Sequence, residues 1–529
     1  MARTISAREL HDALYGSQEF ALIDVRPEAV YGANHILLAS NIPLGLLELR
    51  IADLVPRIGT PVTLCDGGEG LAEAAAEKLA ELGYADISIL EGGVNAWGAA
   101  GLELFSGLYV PSKAFGEFVE HEYGTPSVSA EELKEMMESG EDMVVLDSRP
   151  MSEFTMMNIP TGIDMPGAEL VYRVQEAAPN PETTIVVNCA GRTRSIIGAQ
   201  SLINAGIPNK VVALRNGTMG WHLAGYRLEH GNMRPPPQVT PSGAELARQR
   251  ARAAADRFGV GRVDAGTLAA WRRERGQRTL YVLDVRTEEE FAAGHLADAR
   301  HAPGGQLVQS TDAYMATRRA RVVLVDPEMV RAEMTGSWLR QLGWDEVYVL
   351  EDGQDMETLE TGARPPLLAG ELPAVEMPAP AEAKRRVDAG ALFVDLTRSL
   401  DYRDSHAEGA RWCSREGLAA AVAQTGAESV VLIAADERLA RLATKDLTEK
   451  GIMAAAVAGG TAGWESAGLP MAAGMGEPLA APDDVYMRPY DKDAGREEME
   501  RRMNAYLTWE IALVDQIRRE GGISFRSYR

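Results

Sequence analysis

The stretch "IVVNCAGRTRSIIGAQSLINAG", residues 185–206, contains the pattern that decides the fold. It begins with a short β-branched apolar run, which is typical of a strand buried on both faces of a sheet. A loop with one cysteine, one glycine and two arginines follows, and then a helical stretch that stops at a glycine. A further apolar run, "VVAL", comes next. Strand, helix and strand in this order predict an α/β fold with a mainly parallel sheet flanked by helices.

The same pattern occurs four times along the 529 residues. In each copy an apolar run ends at an aspartate, a second apolar run ends 39 to 42 residues later, and a glycine follows after another 26 to 28 residues. The aspartates are Asp24, Asp147, Asp284 and Asp395, the second runs end at Cys65, Cys189, Asp326 and Ala434, and the glycines are Gly93, Gly217, Gly353 and Gly460. Three landmarks at matched spacing indicate tandem copies of one domain.

Composition breaks between the copies predict the domain boundaries, for example the proline-rich "GNMRPPPQVTPSG". We expect four repeat domains at residues 1–106, 126–232, 263–368 and 369–480, a packed linker at 107–125, a linker with a helix at 233–262, and an extension at 481–529.

The extension repeats nothing and carries an apolar stripe at helical spacing, which predicts one long amphipathic helix. The stripe consists of Met499, Met503, Tyr506, Leu507, Leu513, Val514 and Ile517. Two interpretations are open. The stripe packs on the protein's own domains, or it forms a homodimer through the C-terminal helix.

The balance of 53 basic and 77 acidic side chains leaves a formal net charge of −24. This charge argues against nucleic acid or an anionic membrane surface as the main partner, and an anionic ligand needs a locally positive pocket. No apolar run approaches the length of a membrane span, and the N-terminus lacks the apolar segment of a signal peptide. The three cysteines show no metal-binding spacing and no disulfide pattern. We expect a cytoplasmic protein without metal or cofactor.

Cys189 carries the strongest functional signal. The thiolate is the nucleophilic form of cysteine, and nearby cations and helix N-termini favour it. Arg192 and Arg194 add mobile positive charge, Gly191 permits a tight turn, and a helix that begins near Ser195 points its free N–H groups at the sulfur. These features predict a nucleophilic thiolate beside an anion-binding nest of backbone amides. The structural alternative is a small buried thiol at a strand end.

The D-x-R strand, the cysteine-led loop "CAGRTR" and the later G-x3-W turn resemble the rhodanese family of sulfurtransferases, and in particular its bacterial multi-repeat thiosulfate sulfurtransferases. The resemblance implies four tandem rhodanese-like domains. It also implies that Cys189 takes a sulfane sulfur from thiosulfate as a persulfide and passes it to a thiophilic acceptor such as cyanide or a thiol. The residues implied to bind the persulfide and the charged end of the donor are Ala190, Gly191, Arg192, Thr193, Arg194 and Ser195.

The other copies depart from this pattern. Cys65 is a candidate second nucleophile, but its loop "CDGGEG" contains Asp66 and Glu69, which oppose thiolate formation and repel anions. Asp326 replaces the cysteine in the third copy, and we expect it to pair with Arg331.

Ala434 leaves the fourth copy without a nucleophile, so the third and fourth copies are expected to be scaffolds or interaction surfaces. Cys413 lies away from the loop position and is expected to be structural. The four repeated aspartates are also expected to be structural, with Arg26, Arg149 and Arg286 as partners.

Two other functions remain open. Dual-specificity phosphatases of the cell-cycle type share this fold, but they need a C-x5-R loop, whereas Cys189 to Arg194 is C-x4-R. The second alternative is a sulfur-relay or binding protein, in which the inactive copies dock a partner and Cys189 receives sulfur from it.

Overall fold

Four units of similar topology follow one another along the chain. The computed structural model describes them over residues 2–351, 359–491, 495–523 and 525–529. The apolar runs of the sequence form the central strands of each sheet, because both faces of the sheet are covered by helices. The predicted α/β class, with parallel sheets flanked by helices and a C-terminal helix, is confirmed. Gly353 lies outside the described residues.

The first unit has a five-stranded parallel sheet in the order β1-β5-β4-β2-β3. Its elements are β1 (Arg3–Ile5), α1 (Ala7–Leu14), β2 (Ala21–Asp24), α2 (Glu28–Ala33), β3 (Ser40–Asn41), a 3-10 helix (Leu44–Leu46), α3 (Leu47–Leu54), β4 (Val62–Cys65), α4 (Leu71–Glu81), β5 (Ile87–Leu90) and α5 (Gly93–Ala99).

The linker forms helix α6 (Val110–Tyr123), and the second unit follows with the equivalent sheet order β6-β10-β9-β7-β8. The elements of the second unit are β6 (Ser127–Val128), α7 (Ala130–Ser139), β7 (Met143–Asp147), α8 (Met151–Met156), β8 (Ile163–Asp164), α9 (Glu169–Ala177), β9 (Thr184–Asn188), α10 (Thr193–Asn204), β10 (Val211–Leu214) and α11 (Gly217–Leu223).

A connecting helix, α12 (Pro241–Arg257), leads to the third unit, whose main sheet has the order β11-β16-β15-β12-β14. Its first strand begins at Gly261, two residues before the boundary expected from the sequence. The elements of the third unit are β11 (Gly261–Val263), α13 (Ala265–Arg273), β12 (Leu280–Asp284), α14 (Glu288–Ala293), β13 (His295–Leu296), β14 (Arg300–His301), α15 (Gly304–Gln309), a 3-10 helix (Thr311–Ala313), β15 (Arg321–Val325), α16 (Val330–Gln341), β16 (Glu346–Leu350) and β17 (Leu359–Glu360).

The fourth unit has a four-stranded main sheet in the order β20-β18-β21-β22. Residues 376–378 lie beside β22, where Glu376 and Pro378 accept backbone hydrogen bonds from Ala456 and Ala458. The elements of the fourth unit are α17 (Pro380–Asp388), β18 (Leu392–Asp395), α18 (Ser399–Asp404), β19 (His406–Ala407), β20 (Arg411–Trp412), α19 (Arg415–Thr425), β21 (Ser429–Ile433), α20 (Glu437–Glu449), β22 (Met453–Ala456), α21 (Gly460–Ser466) and β23 (Met471–Ala472).

The C-terminal helix α22 (Arg496–Glu520) packs against the linker helix α6 and the second unit. Leu513 and Ile517 join an apolar cluster with Val110 and Ala114 of α6. Met503 and Leu507 join another cluster with Met219 of the second unit. The apolar stripe is therefore covered within the chain, as the first interpretation of the sequence expects.

The repeated aspartates have a structural role in the first three units, as expected. Each forms a close ion pair with the arginine two residues later, with N–O distances of 2.6 to 2.7 Å. The guanidinium also donates to a backbone carbonyl eight residues farther along the chain, for example from Arg149 to Met157. In the fourth unit Asp395 accepts the backbone N–H of Thr397 instead.

Candidate active site

Cys189 lies at the carboxyl end of β9, in the loop that leads into α10. The helix begins at Thr193, two residues earlier than the sequence suggested. The Cys189 side chain is buried, with the residue only 2% exposed, and its thiol lies 3.5 Å from the hydroxyl oxygen of Ser195. That hydroxyl donates to the carbonyl of Arg192 at 2.8 Å, which closes the loop. The start of α10, with its free backbone N–H groups, therefore lies next to the sulfur.

The backbone amides of this loop donate to no acceptor among the described residues. In the equivalent loops of two other units, a carboxylate of the protein accepts hydrogen bonds from the amides. Across the described residues, the backbone N–H groups of residues 191–195 donate to no protein acceptor. In the first unit the Asp66 carboxylate accepts from the amides of Gly68, Gly70 and Ala72 at 2.8 to 3.1 Å. A side chain of the protein therefore fills the first nest.

The third unit fills its nest in the same way. Asp326 stands at the cysteine position and accepts from the amides of Glu328, Arg331 and Ala332. Its carboxylate also lies 3.2 Å from the Arg331 guanidinium, which confirms the predicted ion pair. Of these three loops, only that of Cys189 leaves its amides available to an anion.

The glycine of the third landmark holds the end of this loop. Gly217 has a φ of +54°, and a Cβ there would lie 2.2 Å from the carbonyl oxygen of Cys189. Gly460 makes the same approach to the equivalent carbonyl of Ala434, at 2.3 Å, and Gly93 approaches the carbonyl of Asp66, one residue after the cysteine position, also at 2.3 Å. The repeated glycine is therefore required both by its backbone conformation and by this close contact.

Gly191 is needed for space rather than for an unusual turn. It does not have a positive φ, so the conformational role expected from the sequence is wrong. A Cβ at this position would lie 2.9 Å from Met219, 3.3 Å from Glu510 and 3.4 Å from Tyr506. The C-terminal helix packs directly on the cysteine loop, and a side chain at this position would press on Met219 and on that helix.

Arg192 is held by the linker helix, so the expectation of a mobile cation is wrong for this side chain. Its guanidinium donates to both carboxylate oxygens of Glu117 at 2.6 and 2.8 Å, and it also contacts Glu120. A further bond reaches the Asn216 side chain at 3.3 Å. The side chain of Arg192 therefore fixes the loop to α6.

Arg194 faces the cavity beside Cys189 but is also paired. Its two terminal nitrogens donate to the Glu153 carboxylate at 2.8 and 2.9 Å. Burial opposes ionisation of Glu153, but the guanidiniums of Arg194 and Arg149 outweigh it and lower the pKa of Glu153 to about 2. The ion pair keeps Arg194 oriented at the cavity wall.

A cavity of about 790 Å³ lies over Cys189, and every unit of the chain contributes to its wall. The first unit provides Glu28, the third Gln309 and the fourth Arg398, while the linker and residues 482–510 form the rest. Seven basic side chains line it against three acidic ones, in a chain of net charge −24. The basic residues are Lys113, Arg192, Arg194, Arg398, Arg488, Arg501 and Arg502. Arg501 and Arg502 are paired with Glu498, as Arg192 is with Glu117, and the excess of basic residues in the wall favours an anionic ligand.

A family model of the rhodanese-like domain matches three segments, residues 6–100, 129–224 and 265–355, which together exceed half of the chain. The chain belongs to the rhodanese family. The second matched segment contains the Cys189 loop, which stands at the position that the sequence pattern suggested.

A solved structure resembles this rhodanese over its whole length. The crystal structure of thiosulfate sulfurtransferase from Pseudomonas aeruginosa is 45% identical, covers 99% of both chains and superposes with a TM-score of 0.95. Among curated proteins, a probable adenylyltransferase/sulfurtransferase, MoeZ, of Mycobacterium tuberculosis is 38% identical over 96 residues, 18% of this chain and 24% of that protein. A sulfurtransferase of Allochromatium vinosum is 28% identical over 104 residues, 20% of this chain and 95% of its own.

The other two thiols of this rhodanese lie in different surroundings. Burial raises the pKa of Cys65 well above its usual range, and the Asp24 and Asp66 carboxylates raise it further. Burial raises the pKa of Cys413 to about 12. Neither residue lines the cavity over Cys189. In the part of the chain that the structure describes, no helix combines the length and apolar character needed to cross a membrane.

The sequence did not predict the residues of α6 and α22 that cover the Cys189 loop of this rhodanese. Lys113 of the linker helix donates to the Tyr506 hydroxyl at 2.5 Å and lies 5.0 Å from the centre of the Tyr506 ring. Glu510 accepts a hydrogen bond from the Thr193 hydroxyl, also at 2.5 Å. One signal was present in the sequence, because Glu510 interrupts the apolar stripe at helical spacing between Leu507 and Leu513.

Proposed function

We propose that this chain is a thiosulfate sulfurtransferase that carries sulfur as a persulfide on Cys189. The observation that carries the proposal is the nest of backbone amides at residues 191–195, which has no acceptor within the described protein and lies at the base of a cavity with a basic wall. A persulfide anion and the dianionic donor both need such donors and positive charge.

Loading of the enzyme is a displacement at sulfur. The Cys189 thiolate attacks the outer sulfur of thiosulfate, a new S–S bond forms, and the S–S bond of thiosulfate breaks. Sulfite departs with the electron pair of the broken bond, so the negative charge moves from the thiolate to the leaving group and to the new persulfide. We expect the free amides of residues 191–195 to bind the outer sulfur, and Arg194 lines the cavity that sulfite leaves through.

The second half of the cycle returns the enzyme to its thiolate. A thiophilic acceptor such as cyanide or a thiol attacks the outer sulfur, and the bond between that sulfur and Cys189 breaks. No metal or redox partner is needed, because the electrons of each broken S–S bond remain on the departing sulfur group. The cavity admits both a donor and an acceptor of small size.

The other units act as walls and supports in this proposal. Asp66 occupies the amides beside Cys65, and the raised pKa of Cys65 keeps that thiol protonated at neutral pH. Asp326 occupies the third nest, and Ala434 offers no nucleophile. A role for the third and fourth units is to enclose the cavity, to which they contribute Gln309 and Arg398.

A small donor fits this site better than a protein donor. Cys189 is almost fully buried beneath α22, so the cysteine of a partner protein would have to enter a roofed cavity to reach it. This argues against the sulfur-relay alternative. The six-residue span from Cys189 to Arg194 likewise favours sulfur over the larger phosphoryl group of a phosphatase.

Steady-state turnover with thiosulfate and cyanide tests the proposal. Cys189→Ser is expected to abolish turnover by the purified protein, while Cys65→Ser and Cys413→Ser keep most of it. Turnover that survives Cys189→Ser and disappears with Cys65→Ser would assign the reaction to the first unit. A protein that turns over only with an added sulfur-carrying protein would instead be a relay.

Two further predictions from the sequence belong to this proposal. The cytoplasmic location, based on the sparse and unpaired cysteines, can be tested by cell fractionation. The homodimer can be tested by light scattering. The apolar stripe of α22 is already covered within the chain, so a dimer through this helix would have to use its charged outer face.

A further inference from the structure

Glu510 is a buried carboxylate of α22 that lies over the cysteine loop. The residue is 1% exposed and lines the cavity over Cys189. Its Oε1 accepts the hydrogen bond of the Thr193 hydroxyl, but its Oε2 is buried and has no hydrogen-bond partner within the described residues. Because Glu510 lines the cavity, this oxygen can accept a hydrogen bond from a molecule that enters it.

The charges around Glu510 come from three elements. Helix α6 provides Lys113 and Glu117, the cysteine loop provides Arg192, and α22 itself provides Tyr506. Each of these groups has another partner. Lys113 donates to Tyr506, and Arg192 binds the Glu117 carboxylate. The Oε2 oxygen of Glu510 is therefore an acceptor that the surrounding side chains do not use.

A carboxylate at this position does not help the half-reaction in which thiosulfate gives its sulfur to Cys189. Thiosulfate and sulfite are anions, and Glu510 repels them. A group that hinders one half of the cycle yet is built into the site is expected to serve the other half. A thiol that enters in its neutral form must lose its proton as it attacks the persulfide. This step of the cycle therefore needs a base.

The size of the cavity points to the same class of acceptor. Its volume of about 790 Å³ falls in the range of roughly 300–1,000 Å³ that encloses drug-sized organic ligands. Cyanide would leave most of this space unused. Aromatic side chains from the linker and the extension line the wall beside the basic ones, including Tyr109, Tyr490 and Trp509. An organic thiol can contact this surface while its sulfur reaches Cys189.

We propose that Glu510 is the catalytic base of the second half-reaction and that the acceptor of this enzyme is an organic thiol. The inference rests on the proposed function. The thiol gives its proton to Oε2 of Glu510, and its sulfur attacks the outer sulfur of the persulfide. A new S–S bond forms, the bond to Cys189 breaks, and the Cys189 thiolate leaves. The proton then passes from Glu510 to the product, which departs as a hydropersulfide, and no further reactant is consumed.

Discharge of the preformed persulfide tests this role separately from loading. The enzyme is loaded with thiosulfate, freed of excess donor by gel filtration, and mixed with either 2-mercaptoethanol or sulfite at pH 8. Sulfite is mostly the dianion at this pH and has little proton to lose, so it reports on attack without a base. General base catalysis contributes roughly 100-fold or more, so Glu510→Gln is expected to slow thiol discharge by about that factor without slowing sulfite discharge, from which it removes a repelling charge.

The loss is expected to follow the acidity of the thiol. It should shrink as pH rises, because more of the thiol is then already ionised, and it should be smaller for trifluoroethanethiol, a more acidic thiol. Glu497→Gln is the matched control, since Glu497 is exposed on the same helix and does not line the cavity. This control should leave both discharge rates unchanged.

An unchanged rate of thiol discharge in Glu510→Gln, with normal loading of Cys189, overturns the role of Glu510 and leaves the proposed function intact. Failure of the wild type to load from thiosulfate overturns the proposed function itself. If Glu510→Gln does not fold, the wild type gives the answer in heavy water. Thiol discharge should then slow more than sulfite discharge, and equal solvent isotope effects overturn the proposal.

Discussion

Thr193, in the first turn after Cys189, donates its hydroxyl to Glu510 of the C-terminal helix, with 2.5 Å between Oγ1 and Oε1. The two residues are 317 positions apart in the sequence. This bond, together with the contact of α22 on Gly191, makes the extension part of the active site rather than an appendage. The stability of the extension is therefore expected to affect catalysis.

The docking of α22 can be tested with two neighbouring residues on its opposite faces. Leu513 is fully buried against Leu37, Phe105 and Val110, whereas Ile511 is 49% exposed. Leu513→Ala should cost about 2–5 kcal/mol and lower both the melting temperature and turnover, because it leaves a cavity under the helix. Ile511→Ala should change stability by no more than about 0.5 kcal/mol. Calorimetry that finds the same melting temperature for both variants would contradict the docking.

The role of the repeated glycine can be tested at Gly217. Its Cβ would lie 2.2 Å from the Cys189 carbonyl oxygen, so Gly217→Ala should displace the loop and remove most turnover. Gly225→Ala is the matched control, since Gly225 also has a positive φ but a Cβ there meets nothing within 4 Å. In both variants an alanine at positive φ destabilises the backbone by about 1–2 kcal/mol. Only Gly217→Ala also introduces the steric overlap with the Cys189 carbonyl oxygen. Equal turnover in the two variants would show that the contact does not position the loop.

Arg194 is expected to stabilise the charge that develops on departing sulfite. Electrostatic assistance of this kind is worth on the order of 3 kcal/mol, so Arg194→Ala should slow loading from thiosulfate by roughly a hundredfold. The variant also leaves Glu153 unpaired at the cavity wall, which adds repulsion. Stopped-flow loading with Arg215→Ala, an exposed arginine outside the cavity, is the comparison. A loading rate within threefold of the wild type would remove Arg194 from this role.

Asp164 makes the second unit sensitive to pH. Burial and, to a smaller extent, the neighbouring Asp147 carboxylate raise the pKa of Asp164 to about 8. The folded protein thus holds a proton that the unfolded chain releases above pH 4, so the stability contributed by this group falls as pH rises from about 4 to 8. The change is at most about 1.4 kcal/mol per pH unit.

Asp164→Asn carries no titrating proton, so its melting temperature should rise relative to the wild type between pH 5 and pH 8. Asp12→Asn is the control, because the Asp12 side chain is 89% exposed. Its melting curve should follow the wild type at both pH values. A difference between Asp164→Asn and the wild type that stays constant with pH would show that Asp164 is ionised throughout.

The repeat, the α/β class and the position of the cysteine could be predicted because each depends on local pattern. The apolar run before Cys189 predicts a buried strand, and the glycine after α10 predicts the end of that helix. Both signals lie within one unit, and so does the Asp–Arg pair. The family assignment follows from those local signals and is confirmed.

The surroundings of the site could not be predicted in the same way. Arg192 reads as a free cation in the sequence, but its partner Glu117 comes from the linker, 75 residues away. Gly191 reads as a turn residue, but the structure uses its lack of a side chain to admit α22. Such contacts depend on how the units pack together, and no spacing within one repeat encodes them.

We expect sulfur to be carried on Cys189 and on no other thiol. Intact-protein and peptide mass spectrometry after treatment with thiosulfate tests it most directly. We predict a gain of one sulfur atom on the peptide that contains Cys189, none on those that contain Cys65 or Cys413, and loss of that sulfur on addition of an acceptor. A sulfur atom found on Cys65, with Cys189 unmodified, would contradict the account.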